Sequence, residues 1–278
     1  MGRGKKGGKQ QEAPGGEGGE KKDVWNSGGP DPLAALVAVS PDRGIVAAAL
    51  GSVVRLWDSR TKEATCLKLS EEDSKLPGVV RALEFSPDGK MLLTATDDKK
   101  VRLWSSSSGH WGCTCQVAMP KKCSAASFTP CGKWVMLADK FGDVYAAVTE
   151  VTEATRAEAT EGSGSSDPVP TLKSWLQLGH FCSIITCLDV SGDGRYMLSG
   201  DRDNKVRVSW IPDNPASGDG TYEIVSYLLG HTQFISDARF CGEVIATSSG
   251  DGSVGVWDAT GKLLCRHHMA AEEAEVEG

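Results

Sequence analysis

The feature that most limits how this chain can fold is an internal repeat. Four stretches read alike: Val39-Ser40-Pro41-Asp42-Arg43-Gly44, Phe85-Ser86-Pro87-Asp88-Gly89-Lys90, Phe128-Thr129-Pro130-Cys131-Gly132-Lys133 and Val190-Ser191-Gly192-Asp193-Gly194-Arg195. Each closes an apolar run with the residue types that tight turns require. Each is followed by a short run of small or apolar residues: Val46 to Leu50, Met91 to Thr96, Val135 to Ala138 and Met197 to Gly200. An Asp-bearing turn and a strand ending in an aromatic come next. Asp98 stands six residues before Trp104, Asp139 six before Tyr145, and Asp251 six before Trp257. Asp203 stands six before Ser209, with Trp210 one place further on, and in the first copy Gly51 takes the Asp place before Trp57. Gly179-His180 and Gly230-His231 open two of the copies.

The aromatic anchors fall at 57, 104, 145, 210 and 257, spaced by 47, 41, 65 and 47 residues. The long interval contains residues 149–171, rich in Thr, Glu, Gly and Ser, which reads as an exposed loop. A unit of some forty residues cannot bury its own faces, so repeats of this length must stack on one another. The pattern resembles the WD repeat, with its Gly-His start and the Trp-Asp end kept here as Trp57-Asp58 and Trp257-Asp258. That resemblance implies an all-β WD-repeat β-propeller with five recognisable blades, expected as a C-terminally truncated form of a seven-bladed one. It also implies a polar network in each blade, drawn from Asp98, Asp139, Asp251, His180, His231, Trp57, Trp104 and Trp257. Such a network is stable only when every member has a partner. Trp between blades accounts for eight Trp against six Phe and four Tyr.

The flanks differ from this core. Residues 1–30 include ten Gly and form a basic Gly/Lys-rich arm, expected to be disordered, with Arg3, Lys5, Lys6 and Lys9 near its start. Residues 31–268 hold the blades, and 269–278 are an acidic tail. The net charge of −7 argues against tight independent nucleic-acid binding. No apolar leader follows Met1, so the chain reads as nuclear or cytosolic. The nine cysteines are scattered, with Cys113-x-Cys115 but no C-x-x-C, and are expected as small buried thiols such as Cys187 rather than metal ligands.

Catalytic patterns are absent. Gly15-Gly16-Glu17-Gly18-Gly19 opens no helix after a strand, so it is no nucleotide fingerprint. His267-His268 lack further ligands, and His110 reads as a loop residue. No enzyme activity is expected of the chain alone, and no metal.

The most specific segment is Leu178-Gly179-His180, then Asp201-Arg202-Asp203-Asn204-Lys205-Val206-Arg207-Val208-Ser209-Trp210, then Leu229-Gly230-His231-Thr232-Gln233-Phe234-Ile235-Ser236. An ordinary blade ends V-R-V-W-D, whereas this one ends V-R-V-S-W. Together with Lys140-Phe141-Gly142-Asp143-Val144-Tyr145, it resembles the non-catalytic WD-repeat subunit of the eukaryotic tRNA (guanine-N7-)-methyltransferase, most strongly over residues 120–260. The resemblance implies a scaffold that docks on and stabilises a catalytic subunit, which holds S-adenosylmethionine and methylates the tRNA variable loop. It implies no cofactor on this chain, tRNA met through the complex, and a nuclear location. It also implies partner-binding residues Asp203, Lys205 and Arg207, with Arg202 beside them.

Strand alternation puts Lys205 and Arg207 on one side as a two-cation stripe, away from Val206 and Val208. Arg55 and Arg102 hold the same blade place as Arg207, and Asp203 is also the expected structural Asp of its blade, so a purely architectural role is open for both. A second reading takes Trp57-Asp58-Ser59-Arg60 as the W-D-x-R box of a substrate receptor for a cullin-type ubiquitin ligase, weakened by Gly51. A generic protein-interaction propeller is the remaining alternative.

Overall fold

The computed structural model describes residues 36–67, 78–107, 110–152, 169–180, 183–218, 220 and 223–269. The expected arm at 1–30 and residues 153–168 and 270–278 lie outside these.

The repeat becomes five sheets. The first runs in order through β1 (Leu36–Val39), β2 (Ile45–Leu50), β3 (Val53–Asp58) and β4 (Ala64–Cys66). The second holds β5 (Val80–Phe85), β6 (Met91–Thr96), β7 (Lys100–Ser107) and β8 (His110–Ala118). In the third are β9 (Cys123–Phe128), β10 (Trp134–Asp139) and β11 (Asp143–Val148). After β12 (Thr171–Leu172) the chain returns to complete the third sheet with β13 (Ser174–Gly179). The fourth is β14 (Ile185–Val190), β15 (Tyr196–Asp201), β16 (Val206–Trp210) and β17 (Ile224–Leu228). The fifth is β18 (Ile235–Cys241), β19 (Val244–Ser249), β20 (Ser253–Asp258) and β21 (Leu263–His268). Within each sheet the repeat's four strands pair antiparallel.

The repeated turn is built by one device. Ser40, Ser86 and Ser191 each donate to an Asp two residues on, at 2.6 Å, and accept the amide five residues on, at 2.9 Å. Thr129 also accepts the amide of Trp134, with Cys131 in the Asp place. The next residue has positive φ and is Gly89, Gly132 and Gly194, but Arg43 in the first copy. An L-residue there costs on the order of 1 kcal/mol.

Neighbouring sheets meet face to face and make the core between them. Leu92 and Trp104 of the second sheet pack with Ala47, Ala49, Val54 and Leu56 of the first, while Leu93 and Leu103 pack with Val135 and Leu137 of the third. Met197 and Leu198 likewise split between the third and fifth sheets. Strands buried on both sides read as nearly continuous apolar runs, as in MLLTAT and WVMLAD. The inner strands β1, β5, β9, β14 and β18 follow one another side by side. Residues of all five line one channel of about 440 Å³.

Several expectations need correction. The interval 149–171 is not exposed loop at its two ends. Thr149 is buried and donates to Gly132 O at 2.6 Å, while Thr171 and Leu172 add to the second sheet, parallel to β8. His110 is the first residue of β8 rather than part of a loop. Among the described cysteines Cys115, Cys123 and Cys187 are buried, but Cys66, Cys131, Cys241 and Cys265 are exposed. Trp57 is 42% exposed, whereas Trp104 and Trp257 are 2% and 1% exposed. Trp104 and Trp257 each sit against the preceding sheet, and Trp57 lies on the face of the first sheet turned away from the second.

Candidate docking surface

The polar network forms most fully in the fifth sheet. Trp257 Nε1 donates to Thr247 Oγ1 at 2.8 Å, and that hydroxyl lies 2.8 Å from His231 Nε2. His231 Nδ1 is 3.0 Å from Asp251 Oδ2, and Ser253 Oγ donates to Asp251 Oδ1 at 2.6 Å. Every atom is satisfied if protons run one way, from Trp to Thr to His to Asp. Burial pushes the Asp251 carboxyl up, but its bonds from Ser253, Thr232 and His231 win and hold it well below the usual range. In the second sheet an Arg meets the Thr and the Asp. There Arg102 donates to Thr96 Oγ1 at 2.9 Å and to Asp98 at 2.7 Å, and Trp104 donates to Thr94 at 2.9 Å.

The fourth sheet carries the candidate site and shifts the network by two residues. His180 reaches Ser199 Oγ at 2.7 Å and Asp201 Oδ2 at 3.1 Å. Asp201, rather than Asp203, is therefore the structural Asp of this blade. Its Oδ1 accepts the amides of Asp203 and Lys205 at 2.9 and 3.0 Å, which fastens the turn, and Asn204 takes φ 66° within it. Burial raises the Asp201 carboxyl, yet the His180 bond and these amides bring it below its ordinary value. Asp203 is left exposed, beside exposed Arg202 and Lys205.

Asp139 corresponds to Asp201, since its Oδ1 accepts the amides of Phe141 and Asp143 at 2.7 and 3.2 Å. It is wholly buried, and its Oδ2 has no hydrogen-bond partner among the described residues. No His lies where His180 and His231 stand in their blades. The aromatic anchor of the third blade is displaced in the same way. Tyr145 pairs with Leu137 as Arg102 pairs with Thr94, and Ala147 pairs with Val135 as Trp104 pairs with Leu92.

That register explains Arg207. It pairs with Ser199, and Ser209 pairs with Met197 in the Trp place. In the fifth sheet Trp257 lies over Gly255, where a Cβ would come within 2.8 Å of Trp257 Nε1. In the fourth, the small Ser209 frees that space and the Arg207 side chain fills it. Its Nε donates to Ser209 Oγ at 2.9 Å and its Nη1 to Gly179 O at 3.2 Å. Arg207 is 8% exposed, so the expected two-cation stripe reduces to one exposed cation, Lys205. Among the described residues no carboxylate pairs with Arg207, and desolvation draws its pKa below the ordinary guanidinium value. Around it the blade presents exposed Val225, Tyr227 and Leu229, with Leu176 exposed on β13.

The sequence pattern had not revealed Asp201, Ser199 or the burial of Arg207. The Gly-His spacing held the missing signal: His180 to Asp201 is 21 residues and His231 to Asp251 is 20. Arg60 of the Trp57-Asp58-Ser59-Arg60 run is exposed and paired with Asp42. No group of three or more metal-ligating side chains occurs among the described residues.

Comparison with known proteins bears on most of the chain. A relative from Homo sapiens, the tRNA (guanine-N(7)-)-methyltransferase non-catalytic subunit WDR4, is 29% identical over 258 residues, covering 90% of this chain and 53% of the relative. The protein of the same description from Dictyostelium discoideum is 24% identical over 234 residues, covering 83% and 48%. From Mus musculus it is 31% identical over 183 residues, covering 64% and 37%. The chain thus spans about half the length, or less, of these curated relatives. The model of the tRNA methyltransferase TRM82 WD40 domain matches residues 54–167 and 148–277, and by that match the chain belongs to this family of WD40 domains.

Proposed function

We propose that this chain is a non-catalytic propeller subunit that docks on and stabilises the methyltransferase forming N7-methylguanine in the tRNA variable loop. The supporting observation is the family match over residues 54–277, together with relatives described as non-catalytic subunits of that enzyme. In this reading the partner holds S-adenosylmethionine, the propeller holds no cofactor, and tRNA is met through the complex. The work is done in the nucleus, which imaging of the tagged chain tests.

The docking element is the turn of the fourth blade. Asp201 ties this turn from inside, so Arg202, Asp203 and Lys205 are offered from a fixed backbone. Arg207 supports them from below by bonding Ser209 and Gly179. A forked carboxylate contact from the partner suits Arg202, and a point contact suits Lys205. Losing one side of a buried interfacial pair costs about 2–5 kcal/mol.

The test is co-purification with the catalytic subunit. Arg202→Glu with Lys205→Glu should abolish it, while the melting temperature of the propeller alone stays at the wild-type value, because both side chains are exposed. An unchanged yield of complex from the double variant would remove this turn from the interface. The ubiquitin-ligase alternative finds no support in the comparisons.

A further inference from the structure

The second, third and fourth sheets are buried on both faces, whereas the first and fifth are buried on one. Strands β6, β10 and β15 are continuous runs of buried residues after their first position. In β3 and β20 buried residues alternate with residues that keep surface in water. Ala47, Ala49, Val54 and Leu56 turn toward the second sheet, so strand alternation puts Val37, Val39, Val53 and Trp57 on the other face. Of these, Val37, Val39 and Trp57 are exposed. In the fifth sheet Ile245 and Trp257 turn toward the fourth, which leaves Val244, Ala246, Val254 and Val256 on the other face, each partly exposed.

These two faces are the halves of one joint. In the second and fifth sheets the leading half carries a Trp against the preceding sheet. Trp104 pairs with Leu92 and Trp257 with Ile245, and both rings are buried. Trp57 pairs with Val46 at the same place in the first sheet, yet it is exposed, with Lys62 over its ring at 5.3 Å. The trailing half is a pair of apolar residues two apart on the third strand. Val101 and Leu103, Val144 and Ala146, and Val206 and Val208 form it in the second, third and fourth sheets, all of them buried. Val254 and Val256 hold that place in the fifth sheet and stay partly exposed. The outer strands repeat the asymmetry. Gln116 of β8 donates to Thr171 at 3.1 Å, Gln177 of β13 to Pro215 O at 2.8 Å, and Ser226 of β17 to Ala259 O at 3.0 Å. Each acceptor belongs to the connection that leads into the last strand of the following sheet. Along β21 no such connection lies among the described residues, and Leu263, Leu264 and Met269 are exposed.

We propose that the fifth sheet of one copy docks on the first sheet of a second copy, head to tail, repeating the joint that the chain's own sheets make with one another. Val254 and Val256 then meet the Trp57 face, and the connection at 59–63 reaches over β21. The second copy is the occupant because every chain carries both halves of the joint, in the order that the internal joints use. The paired surfaces differ, so each added copy leaves one half of either kind open, and association continues as concentration rises. The joint uses none of the residues of the fourth-blade docking turn, so it stands or falls apart from that reading.

Sedimentation velocity of the full chain at rising concentration tests the joint. Wild type should pass from the mass of one chain to multiples of it. Trp57→Asp and Val256→Asp each remove one half and should stay at the mass of one chain. Mixed together, they should give a species of two chains and nothing larger, since each supplies the half that the other lacks. Wild type fixed at the mass of one chain at every concentration overturns the proposal. Association of either variant alone, or a mixture that never pairs, does the same. Circular dichroism shows whether the variants fold; Val37→Asp replaces Trp57→Asp, and Val254→Asp replaces Val256→Asp, where one does not.

Discussion

Thr247→Val in the fifth sheet keeps the side-chain shape and removes one hydroxyl. That hydroxyl accepts from Trp257 and lies against His231, both at 2.8 Å, in a site where Thr247 and Trp257 are each 1% exposed. Two buried ring nitrogens lose their partner. A buried polar atom left unsatisfied costs about 1–3 kcal/mol, so the change should destabilise by about 3–4 kcal/mol. Thr94→Val in the second sheet is the internal control. Thr94 accepts from Trp104 alone among ring nitrogens, at 2.9 Å and equal burial, so about half that cost is expected. For a domain of this size roughly 2–4 °C accompanies each kcal/mol, which separates the variants by several degrees. Urea titration of both, read by tryptophan fluorescence, gives the two midpoints. If Thr94→Val costs as much as Thr247→Val, the His-linked network adds nothing in the fifth sheet and the reasoning fails.

Other outcomes follow from the same geometry. Asp201→Asn should cost more than Asp139→Asn, because Asp201 Oδ2 bonds His180 whereas Asp139 Oδ2 bonds none of the described residues; chemical denaturation giving the reverse order would contradict this. Asp201 and Asp251 have lowered carboxyl pKa values, so the stability they contribute is present above about pH 4 and lost on acidification; Asp251→Asn should flatten the acid limb of a pH–melting curve. Cys115, Cys123 and Cys187, raised by burial to about 11, 12 and 12, should resist a thiol reagent in the folded state, while Cys66, Cys131, Cys241 and Cys265 react; mass spectrometry of the labelled peptides reads this directly. Arg207→Glu should lower the melting temperature where Lys205→Glu does not, since only the first places a carboxylate in the interior.

The architecture was legible because turn chemistry repeats. Ser40, Ser86, Thr129 and Ser191 make the same bonds in four sheets, and their spacing alone located the strands. The details that failed in the third and fourth blades trace largely to one cause, which is exchange of bulk between positions two apart on one strand face. Gly255 with Trp257, Tyr145 with Ala147, and Arg207 with Ser209 fill one kind of space in opposite ways. An aromatic counted from the nearest Asp therefore placed the third blade's anchor two residues early. The Asp-Arg-Asp run offered two candidates for one structural role, and only the reach of His180 separates Asp201 from Asp203. Burial of Arg207 was hidden for a related reason: a strand pattern gives the face a residue occupies, but not how large its neighbour on that face is.

The detour through β12 has a consequence for how the molecule could be divided. The third sheet takes three strands from before residues 153–168 and its outer strand from after them, and Thr171–Leu172 grips the second sheet on the way. A protease cut inside that interval would not release two independent halves. The downstream fragment would stay laced into the upstream one through backbone hydrogen bonds on two separate sheets. Two polypeptides produced apart at that boundary should accordingly find each other and reassemble, which makes this interval a natural place to split the protein for complementation in cells.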